Sequence, residues 1–290
     1  MILFFMLAYL NGRFVPTDDA KVSVFDHGFL YGDGVYETMR SYGGKIFLLG
    51  RHLSRLKQSA EAISLPLPLP LEKIGEALQE SLTVNKLREA YLRIQISRGP
   101  GEIGLDPALC PAPTLVILVK PFKDYPSALY ENGVNVAIVG TRRNHPLSLN
   151  PAIKSTNFLN NILAKIESLK AGAYEGIMLN WKGYVAEGTI SNIFAVRREV
   201  LFTPGLETGI LDGITRDLVL RLAKQNKITV KEKLLRPRDL AKADECFITN
   251  TTVEIMPVTS IDGNAVASGT PGPVTNKLLN AYRNEVQRHV

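Results

Sequence analysis

Apolar positions change their period several times along the chain, and the changes mark out the elements. Ala8 to Val15 alternates about Asn11-Gly12, the dipeptide that closes a two-residue hairpin, and predicts strand–turn–strand. Val22–Phe25 reads as a further short strand. Thr38–Tyr42 and Lys45–Leu48 predict a second hairpin about Gly43-Gly44. Leu53, Leu56, Ala60 and Ile63 recur at helical spacing. Leu65-Pro-Leu-Pro-Leu-Pro70 excludes a helix interior and predicts a connector before a helix over 71–82. Tyr91–Ser97 alternates as a half-buried strand, and Thr114–Val119 is a continuous apolar run suited to a buried one. Between them, Arg98-Gly-Pro-Gly101 and Gly104-Leu-Asp-Pro107 make a turn-rich loop long enough to carry function.

Pro121 to Gly133 has no clear period and is expected to join two domains. Beyond it, strands at 134–139, 176–179, 193–196 and 245–249 alternate with helices at 157–170, 215–225 and 273–286. In the first of these helices Phe158, Leu159, Ile162, Leu163, Ile166 and Leu169 form a face expected to be buried. The chain of 290 residues is long enough for two cores. The expected architecture is α/β in two domains: a small N-terminal domain over 1–120, a loop over 121–133 and a larger domain over 134–290.

Composition narrows the function. The net charge is +6, but Arg142-Arg143, Arg197-Arg198 and Arg236-Pro-Arg238 are short and separated. That favours anionic small molecules over nucleic acid, which needs clustered basic residues interleaved with aromatics. Two distant cysteines, Cys110 and Cys246, predict a reducing, cytoplasmic setting. The apolar run Met1–Leu10 is too short to span a bilayer and is expected to lead into the first strand. The four histidines have no metal-ligand spacing, so no metal is expected.

Four segments carry chemistry. In Pro151-Ala-Ile-Lys154-Ser-Thr-Asn-Phe158 a lysine stands at the entrance to a helix, and Ser155, Thr156 and Asn157 are residue types that satisfy first-turn N–H groups. Apolar surface beside a rigidly held lysine disfavours its ammonium form and frees a nucleophilic amine. Val185-Ala-Glu187-Gly-Thr-Ile-Ser-Asn192 puts a carboxylate between two strands. Leu211-Asp-Gly-Ile-Thr215-Arg216 delivers a glycine turn to a helix N-terminus, which is an anion site by geometry. Phe247-Ile-Thr-Asn-Thr251-Thr252 ends a strand in hydroxyls. By contrast, Gly32-x-Gly34 lacks the third glycine of a dinucleotide fingerprint.

In order and spacing these segments, with His52-Leu-Ser-Arg55-Leu56, resemble the class IV pyridoxal-phosphate aminotransferases of fold type IV, and the resemblance runs from about Ala8 to Tyr282. It implies that Lys154 carries pyridoxal 5′-phosphate as a Schiff base and shuttles the substrate proton. It implies that Glu187 pairs with the pyridine nitrogen. Arg55, the N–H groups of Ile214 and Thr215, and the hydroxyls of Thr251 and Thr252 would hold the phosphate. Tyr31, Tyr36, Arg40, Tyr91 and Arg93 match positions lining the substrate pocket. The family is usually dimeric, which implies a homodimer or higher homo-oligomer acting on a small amino acid and a 2-oxo acid.

Within the family the signals divide. Arg40, Tyr91-Leu-Arg93 and Gly104-Leu-Asp-Pro107 resemble the branched-chain enzymes, which implies an apolar amino acid and 2-oxoglutarate as substrates. Phe158 stands where those enzymes usually carry a tyrosine and cannot make its hydrogen bond. Thr249-Asn-Thr-Thr-Val253 is more similar to the D-amino-acid aminotransferases, although their Arg-x-His pair is absent. Thr38 is similar to the aminodeoxychorismate lyases, but Arg93 replaces their usual lysine. The D-amino-acid transaminase and the lyase stay open as alternatives.

Overall fold

A computed structural model describes residues 6–289. The chain divides into two compact units. The first takes in the described residues through Lys123, with Ile153–Asn157 and His289; the second takes in Asp124–Ala152 and Phe158–Arg288. The segment bearing Lys154, expected in the C-terminal domain, thus belongs with the N-terminal elements.

The first unit is an antiparallel sheet with two helices on one face. Its strands are β1 (Leu7–Leu10), β2 (Arg13–Pro16), β3 (Gly34–Tyr42), β4 (Lys45–Ile46), β5 (Ala90–Ser97) and β6 (Thr114–Pro121), in the order β2-β1-β6-β5-β3-β4. Leu7–Leu10 is the part of the N-terminal apolar run that forms a strand; residues 1–5 lie outside the described ones. Side chains alternate across a strand. Val35 and Met39, Leu92, Ile94 and Ile96, and Leu115 and Ile117 therefore share one face. Against it pack α2 (Leu49–Ala62) and α3 (Leu71–Val84), through Leu53, Leu56, Ile74, Leu78 and Leu82. Each such side chain, fully buried, contributes about 1.5–3 kcal/mol.

The expected strand at Val22–Phe25 does not form, and its apolar side chains are exposed. Asp26 instead caps α1 (His27–Tyr31), accepting from the Gly28 N–H at 2.8 Å. Its other oxygen accepts from Ser97 Oγ at 3.0 Å and Thr114 Oγ1 at 2.7 Å, which ties the turn to β5 and β6.

The second unit opens with α4 (Ser127–Asn132), a short helix in the segment expected to lack structure. Its mixed sheet uses β7 (Val134–Ile138), β8 (Glu175–Leu179), β9 (Val185–Gly188), β10 (Asn192–Arg197), β11 (Val200–Thr203), β12 (Val230–Glu232), β13 (Glu245–Asn250) and β14 (Glu254–Ile261). The order is β12-β11-β10-β13-β14-β7-β8-β9, with β15 (Asn264–Ala265) on β14. Its helices are α5 (Leu159–Lys170), α6 (Ile214–Gln225), α7 (Pro237–Ala241) and α8 (Pro273–His289).

Helix α5 departs from expectation in its packing. Ala164 and Ser168 are its buried residues, whereas Leu159, Ile162, Leu163, Ile166 and Leu169 are 43–68% exposed. The helical period holds, but the small side chains face the sheet and the large apolar ones face outward. Among the described residues no helix is long and apolar enough to cross a membrane, and no cluster of metal-ligating side chains occurs. Cys110 and Cys246 are free thiols.

Candidate active site

Within the first unit, Ile153–Asn157 lies beside the start of β3, joined to it through one isolated bridge. The Tyr36 N–H donates to the Lys154 carbonyl at 3.0 Å and the Thr156 N–H to the Gly34 carbonyl at 2.9 Å, about a bridge between Val35 and Ser155. Thr156 Oγ1 donates to the Gly32 carbonyl at 2.7 Å, and Asn157 Nδ2 to the same oxygen at 2.8 Å. Helix α5 begins only at Leu159 and has no side-chain cap. Thr156 and Asn157 thus join the lysine segment to β3 instead of capping a helix. A cap would use these side chains as acceptors; here they donate instead, to a carbonyl distant in sequence. Gly34 permits the approach: a Cβ there would lie 2.7 Å from the Ile96 carbonyl oxygen and 3.3 Å from Thr156 Oγ1.

Lys154 is half-buried, and its backbone N–H donates to Ser59 Oγ on α2 at 3.1 Å. Its Nζ sits 4.5 Å from the centre of the Tyr36 ring, and the Arg93 guanidinium lies 4.1 Å from the same ring. The register pairs Tyr36 with Gln95, Thr38 with Arg93 and Arg40 with Tyr91. Tyr36, Arg40, Tyr91 and Arg93 therefore share the face turned away from α2 and α3. Arg40 is buried between the rings of Tyr42 and Phe122, at 4.2 and 3.9 Å. Tyr31 does not join them. It lies on α1, and its hydroxyl accepts from the Gly104 N–H at 3.2 Å.

The opposite, core-facing side of β3 carries one ionised group. Glu37 is fully buried between Val35 and Met39. Its Oε1 accepts from Arg55 Nε at 2.6 Å, and its Oε2 accepts from Arg55 Nη2 at 2.9 Å and His52 Nδ1 at 2.8 Å. Burial alone would raise this carboxyl, but the charges and hydrogen bonds of Arg55 and His52 prevail and hold it well below the usual carboxylate range. Burial pushes the His52 imidazole down, against the pull of Glu37. Sequence reasoning singled out Arg55 and passed over Glu37. The signal was its phase, an acid at an inward position of an apolar alternation.

In the second unit Glu187 lies on β9, buried. Arg143 Nε donates to its Oε1 at 2.7 Å, and Oε2 accepts from the Leu211 N–H at 3.0 Å and Asn192 Nδ2 at 3.4 Å. Arg143 Nη1 also donates to Asn160 and Asn161 on α5, at 3.2 and 3.3 Å, and Asn161 Nδ2 donates to the Thr189 carbonyl at 2.6 Å. A second buried acid, Glu175, fixes the turn after Glu187 by accepting from Thr189 Oγ1 at 2.5 Å and Ser191 Oγ at 2.9 Å. Arg143 and Glu175 both escaped the sequence reading.

Helix α6 starts at Ile214 with Gly213 as N-cap and no side-chain cap, so the Ile214 and Thr215 N–H groups lack an intrahelical acceptor. A Cβ on Gly213 would lie 2.0 Å from Asn192 Oδ1, so a larger residue there would have to displace that side chain. At the end of β13, Asn250 Oδ1 gathers the N–H groups of Thr252 and Val253 and the Thr252 hydroxyl, the last at 2.9 Å. In this arrangement the Thr252 hydroxyl proton points to Asn250 Oδ1.

The sequence pattern of the amino-transferase class IV family matches residues 34–261. A Methanocaldococcus jannaschii protein provisionally named a branched-chain-amino-acid aminotransferase is 47% identical over 278 residues, 96% of each chain. The D-alanine aminotransferase of Bacillus licheniformis is 36% identical over 97% of each. Among solved structures, a T.th. branched-chain amino acid aminotransferase with pyridoxamine 5′-phosphate superposes with a TM-score of 0.94 at 32% identity, covering 98% of this chain and 95% of its own. The same protein complexed with N-(5′-phosphopyridoxyl)-L-glutamate gives 0.92. The fold and the sequence lead to one conclusion: the chain belongs to the class IV aminotransferases and is a transaminase of fold type IV.

Proposed function

We propose that the enzyme moves an amino group between an apolar, branched-chain-like amino acid and 2-oxoglutarate, with pyridoxal 5′-phosphate joined to Lys154. Pyridoxal phosphate is the cofactor of class IV aminotransferases, and the donor set fits it. The aldehyde calls for a sheltered primary amine, which Lys154 supplies. The ring nitrogen calls for an ionised carboxylate, and Glu187 is held by Arg143 and the Leu211 N–H. The phosphate calls for donors, and Arg55, the uncapped first turn of α6 at Ile214 and Thr215, and the Thr251 hydroxyl provide them.

When bound, the cofactor supplies an aldehyde that takes up the amino group and a ring that holds the electrons released at the α-carbon. Lys154 Nζ takes the proton from that carbon and hands it on. Glu187 keeps a proton on the ring nitrogen. Arg93 and Arg40 offer positive charge to substrate carboxylates, and Tyr36 and Tyr91 offer aromatic surface to an apolar side chain.

The observation that carries this reading is the Lys154 amine over Tyr36, on a sheet face that also bears Arg93. The branched-chain relatives and the glutamate-bearing complex support the substrate pair. The test is separate incubation with L-leucine and D-alanine, each with 2-oxoglutarate. Turnover of L-leucine is expected, and Lys154→Ala should abolish it together with the visible absorbance of the cofactor. Turnover of D-alanine alone would instead establish the D-amino-acid reading, which the Bacillus licheniformis relative and Phe158 favour. We further infer a cytoplasmic homo-oligomer, with the outward apolar face of α5 as a self-association surface.

A further inference from the structure

Burying a carboxylate, a guanidinium and an imidazole together is costly unless their hydrogen bonds are complete. In the first unit the Glu37 carboxylate accepts three, from Arg55 Nε, Arg55 Nη2 and His52 Nδ1, at 2.6, 2.9 and 2.8 Å. A carboxylate only accepts, so Nδ1 of His52 carries the hydrogen. The pairing with Arg55 is side-on. It takes the Nε–Nη2 edge, fixes the guanidinium plane and turns the Nη1 end away from Glu37. The backbone does the rest: Glu37 sits mid-strand in β3, and His52 and Arg55 are three apart on α2, on one helix face.

We propose that Glu37, braced by His52, is a positioning residue for the cofactor phosphate, setting the direction in which Arg55 presents its guanidinium. The inference rests on the role given above to Arg55. Charge and geometry make opposite demands here. With His52 neutral, Glu37 cancels the charge of Arg55. If net charge governed the phosphate grip, removing the carboxylate would tighten it. If orientation governs, removing it loosens the grip in spite of the added positive charge.

The experiment titrates the full-length apoprotein by calorimetry with pyridoxamine 5′-phosphate and, separately, with pyridoxamine. Neither ligand has an aldehyde, so Lys154 forms no bond to them, and the ratio of the two affinities isolates the phosphate. Glu37→Gln is expected to lower that ratio about tenfold or more, the scale of one charge-assisted hydrogen bond. Glu37→Asp, which keeps the charge but withdraws it by one methylene, is expected to lower it in the same direction with an unchanged circular dichroism spectrum. If Glu37→Gln does not fold, Glu37→Asp decides on the same criterion. A general structural loss would weaken both ligands alike and leave the ratio unmoved, overturning the proposal, as would a raised ratio. Arg55→Met separates the two claims. If it leaves the ratio unmoved, the role of Arg55 fails and the inference with it. If it collapses the ratio while the Glu37 variants do not, the inference alone fails.

Discussion

Arg143 donates from Nε to Oε1 of Glu187 across 2.7 Å, and both side chains are almost wholly removed from solvent. A lone buried carboxylate would take up a proton; the guanidinium favours the charged form. In the role proposed for Glu187, opposite the ring nitrogen, an ionised carboxylate is the working state. Arg143→Met should therefore move the acid limb of the kcat–pH profile upward, so that activity is lost at pH values where the unaltered enzyme still works. Breaking such a buried pair costs about 3–5 kcal/mol, so thermal unfolding should fall as well. A profile whose acid limb stays in place, in a variant that remains folded, would show that Arg143 does not control Glu187.

The lysine segment is held to β3 by hydrogen bonds that a conservative change can remove singly. Thr156→Val keeps the shape and deletes the donor to the Gly32 carbonyl. The expected cost is about 1 kcal/mol of local stability. It should appear as faster hydrogen exchange at the Tyr36 N–H, whose acceptor is the Lys154 carbonyl. Thr156→Ser, which retains the hydroxyl, should restore the slow exchange. Equal exchange in all three proteins would deny Thr156 a part in seating Lys154.

Much of this was legible in the chain because local rules agreed with the fold. The alternation of Tyr91–Ser97 and the period of α2 and α6 reflect one buried face each, and the structure buries those faces. What failed, failed for want of long-range information. The polar residues Thr156 and Asn157 match a helix cap by type, but their acceptor lies 124 and 125 residues earlier. Arg143 sits in no periodic segment, so nothing local separates it from a surface arginine. The stripe on α5 shows an apolar face without showing what covers it. Glu37 was the one omission within reach, since an acid in the apolar phase of β3 must have a buried partner.

Glu37 and His52 also make stability depend on pH with a definite sign. Both titrate lower in the folded protein than their ordinary values of 4.5 and 6.5. The unfolded chain therefore binds more protons at acid pH, and stability rises with pH. The contribution of neutral His52 is complete above about 6.5 and declines as pH falls below it; that of Glu37 declines from about 4.5 downward. The unfolding midpoint should thus drop in two stages on acidification, and Glu37→Gln should flatten the lower one. A lower stage of the same depth in that variant would mean that other carboxylates dominate acid unfolding.

The outward face of α5 offers the last test. Leu159, Ile162, Leu163, Ile166 and Leu169 recur on one side of the helix and are 68, 50, 47, 43 and 64% exposed in the single chain. A contiguous apolar stripe of this kind is covered in solution far more often than it is left wet. A second copy of the chain is the occupant that needs no other partner, and two-fold pairing presents the same face twice. Light scattering of the purified enzyme should therefore report an oligomer. Ile162→Lys with Ile166→Glu should shift it toward monomer while leaving the circular dichroism unchanged, because neither side chain contributes to the buried side formed by Ala164 and Ser168. A monomeric unaltered enzyme, or a double variant that still assembles, would remove α5 from the interface.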